Sequence, residues 1–328
     1  MAETMRHSSI RKVAKLMIKE YMVIIGIILL SIVFSLSSPY FLTWDNWKNI
    51  LLQSSTVAIV ALGQAIILLT GNFDLSLGRN LCLASCVGAL LMKGQGIATV
   101  AWNPWLAAII MICLAAFVGL CNGLLTAYVG LPAFIATLGT QYICYGVAKL
   151  ITSATPIPKL PDAIGFLGRG FLLSIPVSVI IMLGLYAFAQ FFSIKTRMGR
   201  NLYAVGGSKE AAFFTGINVK KYTLFAFVIA GTLAGIGGLV LMSRLNSVSL
   251  SNGQNYEFDA VIGSIIGGIS LAGGKGKLIG TMLGVIFLIT LFNGMSQIGI
   301  DPFIQDVLKG FVLVIAITID VLSNKKRT

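Results

Sequence analysis

Residues 51–70 read LLQSSTVAIVALGQAIILLT, twenty positions without a single charge. A stretch of that length and apolarity suits a helix crossing the roughly 30 Å hydrocarbon core of a bilayer. The run is not isolated. Similar ones lie at about 21–38, 79–92, 105–127, 133–151, 171–192, 222–243, 258–272, 278–296 and 303–321. Lipid offers no hydrogen bonds to a bare backbone, so such runs must satisfy their own N–H and C=O groups as helices. The expected fold is an all-α integral membrane protein with about ten transmembrane helices, the third and eighth short and glycine-rich.

Composition closes the soluble alternative. Only 11% of the 328 residues are charged, against about 25% in a soluble domain, too few to cover a surface in water. The net charge of +13 raises nucleic acid as a partner, but Lys and Arg gather in two tails and one loop, so none is expected. Membrane lipid is the expected surrounding. Cys82, Cys86, Cys113, Cys121 and Cys144 all fall in apolar stretches, without a CxxC and with His7 as the single histidine. That pattern reads as buried small side chains rather than a metal site or disulfide frame. The basic start followed by an apolar run imitates a signal peptide, but SSPYFLTW is a poor cleavage site, and the reading is a retained first span.

Basic residues orient the spans, because cytoplasmic loops carry the excess of Lys and Arg. They concentrate in a tail at 1–20, a loop at 193–221, the turn holding Lys275 and Lys277, and a tail at 323–328, with Arg79 assigned to the same side. The expected organisation is a transmembrane domain over 21–322 between two cytoplasmic tails, with 193–221 as the longest cytoplasmic loop. Glycines at four-residue spacing mark close helix approach: Gly119/Gly123, Gly231/Gly235, Gly263/Gly267 and Gly276/Gly280/Gly284. Packing within the chain is the commoner use, and the last row is the best candidate for a contact between two copies. FDLSLG at 73–78 pairs with FDAVIG at 258–263, and PAFIATLG at 132–139 with DPFIQDVLKG at 301–310. These matches raise an inverted repeat of spans 2–5 on 7–10.

Few residues look chemical. In LTGNFDLSLGRN, Asp74 follows a long apolar run and lies beside Ser76. A carboxylate at membrane depth is a functional candidate, although Asp74 or Ser76 can equally cap the next helix. Gln64, Asn122, Thr126, Thr137, Thr140, Gln141, Asn293 and Gln297 are polar positions within spans; they either line a route for a neutral hydroxylated solute or bond helix to helix. Phe134 and Phe303 offer aromatic faces for a sugar ring, or simply pack. GGKGKL lacks the Ser or Thr of a phosphate-binding loop, so no nucleotide hydrolysis is expected from this chain. No nucleophile–base pair or metal cluster stands out, so the chain is not read as an enzyme. No charged relay deep in the spans is read from the sequence, which argues against ion-coupled transport.

One segment breaks the apolar pattern. VGGSKEAAFFTGINVKK begins at Val205. Gly206 and Gly207 end what precedes; Ser208 is an N-cap, Glu210 lies in the first turn where the dipole favours an anion, Ala211, Ala212, Phe213 and Phe214 continue the helix, and Gly216 stops it. Two turns are not stable alone. The readings are a knob that docks into another protein's groove, which is preferred, or a helix lying in the headgroup layer.

Three long stretches carry a resemblance across about residues 20–322. They are LTGNFDLSLG, RMGRNLYAVGGSKEAAFFTGI and YEFDAVIGSIIGGISLAGGKGKLIGTMLG. In these the chain resembles the permease subunits of ribose/galactose-type ABC sugar importers, a branch that also serves xylose, arabinose and autoinducer-2. It departs from the usual pattern at Asn72, Phe73 and Lys209. The resemblance implies a second permease chain, an ABC-type ATPase subunit that holds ATP-Mg, and a substrate-binding protein that delivers a monosaccharide. No cofactor is implied in this chain itself. Residues 208–216 would then be the coupling helix, and the location the bacterial cytoplasmic membrane. Alternatives are an autoinducer-2 or polyol permease of the same family, or a stand-alone secondary transporter.

Overall fold

The computed structural model describes residues 22–325. The basic tail at 1–20 lies outside the described residues, as does 323–328 apart from the backbone of the last helix to Lys325. Thirteen helices are described, and each of the ten apolar runs is one of them. They are α1 (Met22–Ser37), α2 (Trp44–Leu69), α3 (Leu77–Lys93), α4 (Pro104–Leu124), α5 (Ala133–Thr152), α6 (Asp162–Arg169), α7 (Val177–Lys195), α8 (Arg197–Gly207), α9 (Lys209–Phe214), α10 (Val219–Leu245), α11 (Tyr256–Ile266), α12 (Leu278–Gln297) and α13 (Pro302–Lys325). Seven are long and apolar enough to cross a membrane: α2, α4 with its following turn, α5, α7, α10, α12 and α13. At 11 residues, α11 rises about 16 Å, roughly half of a hydrocarbon core. Strands are two-residue fragments; β1 (Ile157–Pro158) pairs with β4 (Ser247–Val248), and β2 (Phe171–Leu172) with β3 (Ile175–Pro176).

Helix ends follow local chemistry. Asn103 caps α4, accepting from Trp105 N at 2.9 Å, with Pro104 in the first turn. A π-helical turn (Leu125–Val129) extends α4, and Gly130 at φ 85° turns the chain toward α5. Asn218 caps α10, accepting from Lys221 N at 3.0 Å.

The centre of the molecule is α2 against α10. In α2, 83% of the apolar window is buried, against 6% in α13; α2 is therefore a core helix and α13 a peripheral one. Glycines set the closest approaches. A β-carbon at Gly119 would strike Phe227 O, and one at Gly231 would strike Ala115 O, so both predicted rows are spent on the α4–α10 seam. Gly280 and Gly284 receive the backbone of Gly267 and Gly263 in the same way. The row expected to serve contacts between copies is thus filled from within the chain, at the α11–α12 seam.

Topology sorts the ends. Gly26 packs by Phe287 and Gly294 by Phe34, so α1 runs parallel to α12. Asp320 of α13 accepts from Leu271 N at 3.0 Å. The loop containing Leu271 also meets the end of α2, where Gly274 N donates to Leu69 O at 3.0 Å. The described ends of the chain therefore share one face with the end of α2.

Two short helices meet head to head. A β-carbon at Gly78 would strike both Glu257 Oε2 and Gly253 O, so the N-terminus of α3 abuts that of α11. Irregular segments precede each: 71–76 after α2 and 249–255 after α10. FDLSLG lies mostly ahead of α3 whereas FDAVIG lies within α11, so the two motifs sit at different offsets from the starts of their helices.

Candidate functional site

The segment between α2 and α3 carries the buried Asp74 into a polar cluster. The Ser76 N–H and hydroxyl both donate to Asp74 Oδ1, at 2.7 and 2.6 Å. Asn122 Nδ2, from α4, donates to Asp74 Oδ2 at 3.2 Å and to Ser76 Oγ at 2.9 Å. Thr140 of α5 donates to Asn122 Oδ1 at 2.6 Å. Thr137 accepts from Leu75 N at 3.1 Å. The Gln64 amide of α2 spans the Asp74 backbone, its Nε2 donating to Asp74 O at 3.1 Å and its Oε1 accepting from Asp74 N at 3.2 Å. Three helices are thereby tied to one irregular segment whose backbone lipid could not satisfy.

The capping expectation needs correcting. Ser76 occupies the N-cap position of α3 but makes no side-chain cap bond. Its hydroxyl is committed to Asp74, whose carboxylate closes a local turn rather than capping α3. What does face the α3 N-terminus is Glu257 Oε2, beside Gly78, where the helix dipole favours an anion. Glu257 Oε1 accepts from Gln141 Nε2 at 3.4 Å.

Deep charge is also more plentiful than expected. Arg79 does not join the basic face: its Nη1 donates to Leu250 O at 2.9 Å and its guanidinium lies 4.3 Å from the Tyr145 ring centroid. Asp259 is buried and lies 3.0 Å from Lys309 Nζ. Glu257, Asp259 and Lys309 stand in the quoted runs, but a lone charge in an apolar stretch does not reveal its partner. Of the predicted path residues, Asp74, Ser76, Asn122 and Thr137 come together, while Gln141 bonds Glu257 at the α3–α11 junction. Asn293 does not join the cluster; it accepts from Asn46 Nδ2 at 3.0 Å near the opposite end of α2. Phe134 is half exposed beside Phe73, while Phe303 is exposed at the start of α13, away from the cluster. Cys82, Cys86 and Cys144 are buried, but Cys113 is exposed.

The second constellation is on the face shared by the chain ends. Ser208 caps α9, accepting from Ala211 N at 3.1 Å. Gly216, at φ 82°, ends it, as read from the sequence. The preceding helix α8 was not anticipated, because it is short and its buried stripe of Gly199, Leu202 and Val205 is set among charged, polar and glycine residues. Glu210 and Ala211 are exposed and Ala212 is buried. Phe213 and Phe214 are 69% and 85% exposed. Those two rings flank a cleft of about 800 Å³ that reaches Asn72 and Thr126.

The helix that leads into α9, α8, is pinned to the core. A β-carbon at Gly206 would strike Leu69 O and Gly274 N. Tyr203 donates to Gly276 O at 3.0 Å. Leu69 is the last residue of α2, five positions before Asp74. The helix leading into α9 is therefore in direct backbone contact with the end of α2, just ahead of the segment that carries the buried cluster.

Residues 46–317 match the family model described as the branched-chain amino acid transport system permease component. The chain is 37% identical over 299 residues to the ribose import permease protein RbsC of Bacillus subtilis, covering 90% of this chain and 91% of that one. It is 34% identical over 321 residues to RbsC of Escherichia coli K12, covering 97% of each. Identity is also 34%, over 323 residues, to the galactose/methyl galactoside import permease protein MglC of Escherichia coli K12, covering 94% of this chain and 96% of the relative. No solved structure is a significant match. A match over most of the chain, by the family model and by these permeases alike, places it: this multi-pass membrane protein belongs to the ABC-importer permease family, beside the ribose and galactose import permeases.

Proposed function

We propose that this chain forms the translocation path of an ATP-driven importer for a neutral monosaccharide of the ribose or galactose kind. The relatives' printed names supply the substrate class. The observation that carries the mechanism is α9: a capped helix with two exposed phenylalanines, fixed through Gly206 to the end of α2. An ABC-type ATPase subunit grips α9 through Phe213 and Phe214. ATP-Mg, held in that subunit, supplies the energy. Closure of the ATPase displaces α9, Gly206 presses on Leu69 and Gly274, and the segment around Asp74 shifts against α4 and α5. A second permease chain completes the path, and a substrate-binding protein delivers sugar to the opposite face. The α9 face is cytoplasmic, since Lys195, Arg197, Arg200, Lys209, Lys220, Lys221, Lys275 and Lys277 lie at that end of the helices, and both tails follow it. The site residues for coupling are Ser208, Glu210, Ala211, Ala212, Phe213 and Gly216, and for the path the cluster around Asp74 and Asn122.

The test is reconstitution in vesicles. The chain with its ATPase and binding protein is expected to accumulate labelled sugar with ATP. Vesicles holding this chain alone are expected not to. Accumulation by the chain alone would overturn the reading.

A further inference from the structure

A second cavity lies far from α9. It has a volume of about 430 Å³ and lies among the first half of α2, the end of α10, the start of α11 and the middle of α12. Since α10 starts beside α9 and its last residues line this cavity, the two sites are separated by nearly its 27-residue length, about 40 Å. The volume falls within the roughly 300–1,000 Å³ of small-molecule pockets.

Its polar lining is unusual for membrane depth. Asn49, Gln53, Arg244, Tyr256 and Asp259 face it, over an apolar floor that includes Ile289. Arg244 Nη1 is buried and has no hydrogen-bond partner among the described residues. A buried donor of this kind is left unpaired at a cost of about 1–3 kcal/mol unless something fills the space. Asp259 is buried with its charge already offset by Lys309 at 3.0 Å, and a carboxylate retains further acceptor sites. Asn46, Asn49 and Gln53 recur at helical spacing along α2, forming a polar track from the helix start to the cavity. Amides, a hydroxyl, a carboxylate and a guanidinium over an apolar floor are the groups that read the hydroxyls and ring face of a neutral sugar.

We infer that this cavity is the receiving site of the permease, where a monosaccharide released on the face opposite α9 is held by Asn49, Gln53, Arg244, Tyr256 and Asp259. The inference rests on the sugar-import reading above and adds the place where the chain discriminates among sugars. Tyr256 is a specificity residue: its hydroxyl, lying against Arg244, meets one sugar hydroxyl, so its loss is felt unequally by different epimers.

The test uses the assembled importer in vesicles, with D-ribose and D-galactose as probes at saturating concentration, so that the binding protein is fully loaded. Tyr256→Phe and Gln53→Leu are each expected to change the ribose-to-galactose uptake ratio by about fivefold or more. Tyr256→Phe keeps the ring and its packing, so an assembly defect in Gln53→Leu leaves the test standing. A wild-type ratio and wild-type rates in Tyr256→Phe would overturn the receiving site and leave the importer reading intact. A wild-type importer that takes up neither sugar would overturn both.

Discussion

Asn122 Nδ2 donates to Asp74 Oδ2 at 3.2 Å, joining positions 48 residues apart in a cluster with no exposed member. The same amide group bonds Ser76, and its oxygen accepts from Thr140. One asparagine side chain thus holds an irregular segment between α4 and α5. The cluster is built for a carboxylate: every donor aimed at Asp74 finds an oxygen.

Asp74→Asn replaces one of those oxygens with a donor that faces the Asn122 amide. The variant is expected to insert normally, to lose about 1–3 kcal/mol of stability, and to lower uptake at least about tenfold. Detergent melting temperature and vesicle uptake check the two parts. Wild-type uptake would remove Asp74 from the path assignment.

Gly206 and Gly207 are adjacent glycines with opposite surroundings. A β-carbon at Gly206 would strike Leu69 O, whereas nothing lies within 4 Å of one at Gly207. Gly206→Ala is expected to uncouple ATP hydrolysis from uptake, while Gly207→Ala transports normally. Equal behaviour of the pair would show that the α8–α2 contact transmits nothing.

Phe213 and Phe214 are exposed, so truncating them removes little packing from this chain. The double change Phe213→Ala with Phe214→Ala is expected to leave the melting temperature within about 2 °C, a change of under roughly 0.5 kcal/mol, and to abolish co-purification of the ATPase. Retention of the ATPase would mean that α9 is not the docking knob.

Gly216 takes φ 82°, which a proline ring locked near −65° excludes. Gly216→Pro is expected to abolish uptake while membrane insertion persists, and Ala212→Arg to do the same by forcing a charge into a buried position. Ser208→Ala removes the α9 cap and is expected to cost about 1 kcal/mol locally, seen as faster amide exchange at Ala211. Normal uptake by Gly216→Pro and Ala212→Arg would end the coupling assignment.

What the sequence determined by itself was local. Apolar length marks ten helices, and the Ser208 cap and Gly216 stop delimit α9, because capping and lipid burial act within a few residues of the chain. The glycine rows mark close approach, but the partner of each row was decided by tertiary structure, which turned Gly280 and Gly284 toward Gly267 and Gly263. The same holds for charge. Arg79 reads as part of a basic face until α3 is placed head to head with α11, and Glu257 has no visible role until its carboxylate meets Gly78. Asn122 to Asp74 and Gln141 to Glu257 span 48 and 116 residues. Such pairs depend on how closely helices approach and at what height, and a polar side chain in an apolar run carries no record of either.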